Sequence, residues 1–179
     1  NELWLNTAKQ LTDYTFDHFF DTASYMFYFT SDEDTELITR KMEIEDNVIA
    51  SSNSIMANNL FKLSHYYSNS YYLKVSKQML HNVREKSVKY GSGYSNWLQL
   101  MSMYIGEFYE IAIAGPTALS QLQEINKYYI PNKLLAGAVK KSNLPLMEGR
   151  FSQKETLVYV CVDGACKLPE SSSERAVGQ

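Results

Sequence analysis

The chain has no excess of positive charge, no long apolar run and only two cysteines, and each shortage excludes a class of protein. Its 17 basic and 20 acidic residues leave a net charge of −3, whereas nucleic-acid binding requires a basic face that displaces counterions. No apolar run approaches the roughly 20 residues that cross a bilayer. Neither a nucleic acid nor a membrane is therefore predicted as a partner, and the cysteine spacing excludes a Cys-x-x-Cys redox motif.

The amino-terminal residues also lack the features of a signal peptide. They open directly into a helical pattern, without a basic start followed by an apolar stretch. A first residue other than methionine suggests an excised piece of a longer protein. The compartment stays open on these grounds, with the cytoplasm favoured.

The overall composition is typical of a globular protein with a sizeable core. Apolar residues make up 45% of the chain and charged residues 21%, in a length that suits one domain or part of a larger one. Tyrosine is abundant, with 14 copies. Tyrosines offer a stacking face and a hydroxyl for a sugar ligand, but they also commonly fill half-buried helix edges, and the second interpretation is favoured here.

Residues 1–105 are predicted to be mainly helical. Apolar residues recur at helical spacing over residues 2–20 and then over about 53–68, 70–89 and 94–105. The very short connection near Asn69 predicts an antiparallel helical hairpin. Between the first two helices, residues 24–30 are rich in strand formers, 31–34 form a turn signal, and 35–44 alternate loosely, which indicates a hairpin or an extended loop.

The hydrophobic period changes after Gly106, and residues 106–169 are predicted to form a small α/β segment. A buried strand over 108–114, a helix to about 128 and a second strand over 133–139 predict a parallel βαβ crossover. Residues 156–162 predict a third strand. Residues 170–179 are expected to be a polar tail with nothing to bury.

A polar cluster is the best indication of a functional site. Ser51, Ser52, Asn53 and Ser54 precede an amphipathic helix, and any of them could cap it. Four consecutive candidates, with Asp46 just before them, exceed the needs of one helix start. The surplus polarity favours a binding site, while the structural alternative is a well-capped helix.

Three segments resemble a family of thioredoxin-domain-containing proteins, the spermatogenesis-associated protein 20-like family. The first is the pattern from Arg40 to Leu63, although the family usually has Pro at Ala50 and Gly at Ser52. The other two, which match in the same order, are Glu110-Ile-Ala-Ile-Ala-Gly115 and Tyr159-Val-Cys161…Cys166-Lys-Leu-Pro169. The resemblance covers most of residues 1–169, as the C-terminal part of such a protein.

The resemblance implies a mainly α fold, in which the helical hairpins belong to a partial α/α toroid related to six-hairpin glycosidases and N-acylglucosamine 2-epimerases. A partial ring needs a partner, either the N-terminal remainder of the same protein or a second copy of this chain. The implied function is a carbohydrate-binding or carbohydrate-active one, with Arg40, Asp46, Ser51 and Asn53 at the mouth of the cavity. The alternative is a non-catalytic platform that docks partners of an attached thioredoxin-like domain.

Catalysis itself stays open, because no two carboxylates stand at a spacing that assigns an acid and a base. No cofactor and no metal are predicted. Asp17, His18 and Asp21 could form half of a metal site but are expected to be a solvated helix end. His65 and His81 have no carboxylate or cysteine at ligand spacing and are expected to be structural.

The two cysteines, Cys161 and Cys166, are separated by four residues that include Asp163-Gly164. This dipeptide favours a tight turn, which would bring the sulfurs together across a hairpin. Two ligands alone make a poor zinc site. A disulfide, a reduced pair and a shared metal all remain open, with a structural pair preferred.

Overall fold

The computed structural model describes residues 2–35 and 39–178. Part of the extended segment predicted over 35–44 therefore lies outside the described residues. Within them the chain forms α-helices, which are α1 Glu2–Phe19, α2 Ser52–Tyr67, α3 Ser70–Lys89, α4 Ser95–Ile105, α5 Ala118–Ile125 and α6 Ser173–Val177. Short 3-10 helices span Gly91–Tyr94 and Pro145–Met147. The helices predicted over residues 2–105 are confirmed to within two residues at each end.

The described strands form two separate sheets. They are β1 Phe20–Asp21, β2 Met26–Phe27, β3 Tyr109–Ala114, β4 Lys133–Ala138, β5 Leu157–Val162 and β6 Ala165–Cys166. The first two make an antiparallel pair, and the other four make a sheet in the order β4-β3-β5-β6. Strand β3 runs parallel to β4 and antiparallel to β5. The predicted parallel βαβ crossover, with α5 between β3 and β4, is confirmed.

The prediction of a mainly α chain built from hairpins of a partial α/α toroid is wrong. About 49% of the residues are helical and 14% are in strands, and a mixed four-stranded sheet coexists with the helices. The fold is therefore mixed α/β. The physical reason is that β3 is paired along both edges over all six of its residues, so the sheet forms the centre of its own core and not an appendage to the helices.

The chain divides into two compact units. The first comprises the described residues of Asn1–Ser64 and Asn69–Ser102, and the second comprises those of His65–Ser68 and Met103–Gln179. The predicted boundaries, by comparison, were at residues 105 and 169.

The first unit has its core between α2, α3 and α4. Leu60, Val75, Met79, Trp97 and Leu100 are fully buried there. Burial of such large apolar side chains contributes roughly 1.5–3 kcal/mol each. The start of α3 is capped by Asn69, whose side-chain oxygen accepts from the N–H groups of Tyr71 and Tyr72, as local sequence rules predict for Asn at a helix start.

The second unit packs one face of its sheet against α5 and α6. Its buried cluster consists of Ile111, Ile113, Ala118, Ile125, Val158, Val160 and Ala176. Residues 170–179 were predicted to be a polar tail with nothing to bury. In the structure, residues 173–177 form a helix that buries Ala176. The opposite face of β3 and β5 carries Glu110 and Cys161, which are directly opposed in the strand register.

Candidate functional site

The polar cluster predicted before α2 is built around the carboxylate of Asp46. It accepts hydrogen bonds from the N–H of Ser51 at 3.0 Å, the hydroxyl of Ser54 at 2.6 Å and the N–H of Asn96 at 2.9 Å. Burial by itself would raise the pKa of Asp46, but these hydrogen bonds to the ionised form outweigh it, so the pKa lies below its ordinary value of 3.8. Asp46 is thus an ionised anchor inside the first unit.

Ser51 and Asn53 use their side chains on the backbone of the preceding segment. The Ser51 hydroxyl donates to the carbonyl of Ile44 at 2.9 Å and accepts from the N–H of Ser54, which makes it the helix cap. Asn53 is fully buried. Its amide donates to the carbonyls of Phe27 and Glu43, and its oxygen accepts from the N–H of Phe27 at 2.8 Å.

Arg40, the fourth predicted site residue, has different partners. Its Nη2 donates to the carbonyls of His18 and Thr30, and its guanidinium lies 4.2 Å from the centre of the Tyr28 ring. The structure therefore brings Asp46, Ser51 and Asn53 together, whereas Arg40 contacts a different set of residues.

The cluster holds residues 42–44 in place, and these residues line a cleft. Ile44 accepts hydrogen bonds at its carbonyl from both Ser51 and the indole N–H of Trp97, at 2.9 and 2.8 Å. Met42 and Ile44 then form one wall of a cleft of about 570 Å³. Asp46, Ser51 and Asn53 act behind this wall and do not line the cleft itself.

The other walls of the cleft come from the β1–β2 region and from α3. They include Ser24, Tyr25, Gln78, Asn82 and Lys86. The Asn82 amide donates to the carbonyl of Ser24 at 2.6 Å, and the Gln78 amide donates to the oxygen of Asn82 at 2.9 Å. The sequence alone does not indicate this cleft, because its walls come from three segments that are distant in the chain. A signal that could have indicated it is the row of polar side chains at Gln78, Asn82 and Lys86, four residues apart on one side of α3.

A second cluster of polar side chains lies in the second unit. His65 and Glu110 form a pair at 2.6 Å, and each side chain is 11% exposed. The Phe108 ring covers His65, with the ring centres 4.7 Å apart. His65 has no carboxylate at ligand spacing along its own helix, and its partner lies 45 residues away on β3, where no local pattern indicates it.

The two cysteines form a disulfide. Cys161 on β5 lies opposite Cys166 on β6, and Asp163 and Gly164 between them have φ angles of 51° and 78°. The predicted tight turn is confirmed, and of the three states left open the structure shows the disulfide. Arg150 Nη2 donates to Cys166 Sγ at 3.3 Å.

The sequence allowed His18 to form half of a metal site with Asp17 and Asp21. In the structure His18 is paired with a different acid, Asp32. Its Nδ1 lies 2.9 Å from Asp32 Oδ1, and this hydrogen bond raises the pKa of His18. In the part of the chain that the structure describes, no group of three or more His, Cys, Asp or Glu side chains could hold a metal ion. Over the same residues, no helix combines the length and the apolar character needed to cross a membrane.

No protein-family model matches the chain, and no curated protein is significantly similar to it. The resemblance to thioredoxin-domain-containing proteins accordingly stays a prediction.

Proposed function

We propose that this chain is the C-terminal region of a thioredoxin-domain-containing protein and that its first unit binds a carbohydrate. The observation that carries the binding proposal is the cleft between residues 42–44, the β1–β2 region and α3. Its volume of about 570 Å³ falls in the range of small-molecule sites, which is about 300–1,000 Å³.

The chemistry of the cleft suits a polyhydroxylated ligand. The side chains of Gln78 and Asn82 offer amide donors and acceptors, Ser24 offers a hydroxyl, and Lys86 offers a cation for a sugar phosphate. Tyr25 adds an aromatic ring with a polar end. Met42 and Ile44 supply apolar surface for the C–H face of a sugar ring.

The proposal is for binding and not for sugar hydrolysis. Glycoside hydrolysis requires a pair of carboxylates that flank the scissile bond. No aspartate or glutamate is among the described residues that line the cleft. The role we assign to Asp46, Ser51 and Asn53 is to position the wall at Met42 and Ile44.

The test is a thermal-shift screen of the protein against a panel of sugars and sugar phosphates. A ligand that binds the folded state raises the melting temperature by mass action. We expect a shift with at least one sugar, and we expect Gln78→Ala and Lys86→Ala each to reduce it. Gln99→Ala and Lys77→Ala remove matching side chains from exposed positions outside the cleft and should preserve the shift.

Two results would overturn the carbohydrate proposal. The first is the absence of a shift with every sugar in a well-folded protein. The second is a shift that Gln78→Ala and Lys86→Ala leave intact, because the ligand would then bind elsewhere.

Exposed apolar side chains on α1 favour a second proposal, a docking surface that this chain uses within a longer protein. Leu3, Trp4 and Leu11 are 59%, 71% and 61% exposed, although helix faces of this kind are usually buried against another element. We propose that the N-terminal remainder of the longer protein covers this face. This proposal rests on the resemblance and is independent of the sugar site.

Tryptophan fluorescence tests the docking proposal directly. The chain has two tryptophans, and Trp97 is fully buried while Trp4 is exposed, so iodide quenching reports on Trp4. We expect Trp4 to be quenched in this chain alone and shielded in the longer protein. Equal quenching in both would refute the proposal. Shielding that increases with the concentration of this chain alone would instead identify a second copy as the partner.

A further inference from the structure

The disulfide of the second unit joins two cysteines with unequal surroundings. Cys161 lies on β5, inside the sheet, and is 1% exposed. Cys166 lies on β6, the two-residue strand at the edge of that sheet, and is exposed. A thiolate must approach a sulfur atom to exchange with it, so Cys166 is the accessible end of the bond.

A cation lies at the accessible sulfur. Arg150 Nη2 donates to Cys166 Sγ at 3.3 Å. The Arg150 guanidinium is held there by the ring of Tyr159, whose centre is 5.1 Å away, and the Tyr159 hydroxyl donates to the Arg150 carbonyl. A neighbouring arginine stabilises a thiolate relative to a thiol, and arginine stays protonated at neutral pH.

Glu110 is the charged neighbour of the buried sulfur, and its carboxylate also pairs with His65 at 2.6 Å and acts electrostatically on Arg150. Glu110 on β3 lies opposite Cys161 in the strand register, and a carboxylate disfavours a thiolate there. Asp163 lies in the turn between the two cysteines, and Lys167 directly follows Cys166. In the reduced protein we therefore expect Cys166, beside Arg150, to ionise to the thiolate more readily than Cys161.

We propose that Cys161–Cys166 is a redox-active disulfide that exchanges with a dithiol through Cys166. The dithiol's thiolate attacks Cys166 Sγ, the Cys161–Cys166 bond breaks, and Cys161 leaves as a thiolate that takes up a proton. The second thiol of the reductant, after losing its proton, then attacks the mixed disulfide and releases Cys166 as a thiolate beside Arg150. Two electrons pass from the dithiol, which becomes a disulfide, to the cysteine pair.

The reverse reaction assigns a role to each residue. The Cys166 thiolate is the nucleophile that attacks an oxidised partner, and Cys161 is the resolving cysteine that closes the intramolecular bond. Arg150 is a positioning residue, since it acts through the charge on Cys166. The site uses residues of the second unit and does not depend on the carbohydrate proposal.

The first experiment is a redox titration of the folded protein in buffers of reduced and oxidised dithiothreitol, with alkylation and mass spectrometry as the readout. We expect reversible reduction without denaturant. Arg150→Gln should require about fivefold more reduced over oxidised dithiothreitol at the midpoint, because it destabilises the Cys166 thiolate. Arg150→Lys should lie near the wild type. Arg175→Gln, which removes an exposed arginine of the same unit, should not differ from it.

The second experiment isolates Cys166 in a Cys161→Ala variant, where its alkylation rate is measured against pH. We expect a midpoint below the ordinary cysteine value of about 8.5, and a return toward that value when Arg150→Gln is added. Circular dichroism of each variant shows whether it remains folded.

Three results would overturn the proposal. One is a disulfide that resists reduction until the protein is unfolded. Another is an alkylation midpoint that Arg150→Gln does not change. The third comes from repeating the titration with glutathione, a monothiol that leaves a mixed disulfide, and is a mixed disulfide that maps to Cys161 and not to Cys166.

Discussion

At Asp46, one buried carboxylate joins residues that are distant in the chain. The N–H of Asn96 lies 50 residues away and the hydroxyl of Ser54 lies eight residues away. Hydrogen bonds to an ionised acceptor are stronger than neutral ones. The function of this residue in the fold is thus to tie the segment before α2 to the start of α4.

We expect Asp46→Asn to lower the free energy of unfolding by about 2 kcal/mol at neutral pH, because an amide cannot replace every accepting position of the carboxylate. The folded-state pKa of Asp46 is depressed. Its stabilisation is therefore present above the unfolded-state pKa of about 3.9 and is lost as the pH falls through the lower folded-state pKa. Urea unfolding across this pH range measures both effects.

The matched control for Asp46→Asn is Glu85→Gln, which removes a carboxylate from an exposed position on α3. It should change the free energy of unfolding by no more than about 0.5 kcal/mol. Equal losses in the two variants would contradict the role assigned to Asp46.

Tyr94 is a second residue with a testable pH dependence. Burial, together with a hydrogen bond to Glu45 and the negative charges of Glu45 and Asp46, raises the pKa of Tyr94 to about 12. Because the folded-state pKa is raised, the stabilisation is complete below about pH 10 and is lost as the pH rises through 12. We expect the absorbance titration to show tyrosine ionisation near pH 12 that is missing in Tyr94→Phe. Tyr129→Phe, at an exposed position, is the matched control and should leave the late-ionising tyrosine in place.

At the scale of elements, the turn after β3 depends on a glycine. Gly115 has φ of 139°, and a Cβ there would lie 2.4 Å from the carbonyl oxygen of Glu155 and 2.5 Å from the Cα of Thr156. Both neighbours are backbone atoms, so they cannot move aside as a flexible side chain would. The close approach lets the chain leave β3 while staying beside the start of β5.

We expect Gly115→Ala to destabilise the second unit by about 3 kcal/mol or more, through both the positive φ and the clash. Gly149→Ala is the matched comparison, since Gly149 has φ of 70° and nothing lies within 4 Å of the position that an added Cβ would take. It should cost about 1 kcal/mol, from the backbone conformation alone. Thermal unfolding of the two variants separates the effects, and equal losses would show that the contact at Gly115 relaxes freely.

At the scale of the whole molecule, a substitution in one compact unit is expected to destabilise mainly that unit. The hydrogen bonds of Asp46 end on residues of the first unit, and the close contacts of Gly115 lie in the second. In native-state hydrogen exchange, a substitution lowers amide protection mainly in the cooperative unit that contains it.

We therefore expect Asp46→Asn to lower protection mainly in residues 2–35, 39–64 and 69–102, and Gly115→Ala mainly in residues 65–68 and 103–178. Hydrogen exchange with mass spectrometry measures both patterns. The wild-type protein under the same conditions is the reference. Loss of protection across the whole chain in either variant would show that the two units open as one.

The amino-acid sequence by itself determined the features that depend on neighbours a few residues apart. The helices follow from apolar residues at spacings of three and four, the cap at Asn69 from its own side chain, and the hairpin turn from Asp163-Gly164. The βαβ crossover also followed, because β3, α5 and β4 are consecutive. Each of these patterns is local, so a single sequence contains the information.

Only the tertiary structure decided the groupings that join distant residues. The cleft brings Ser24 to Asn82, which is 58 positions away, and Glu110 meets His65 across 45 positions. Asp46, Ser51 and Asn53 were found in the sequence as a polar cluster, but their hydrogen bonds support a wall of the cleft. The mixed α/β class depended likewise on β3 being paired on both edges. Chain folding sets such contacts through packing, and the spacing of residues along one chain does not encode which distant segments meet.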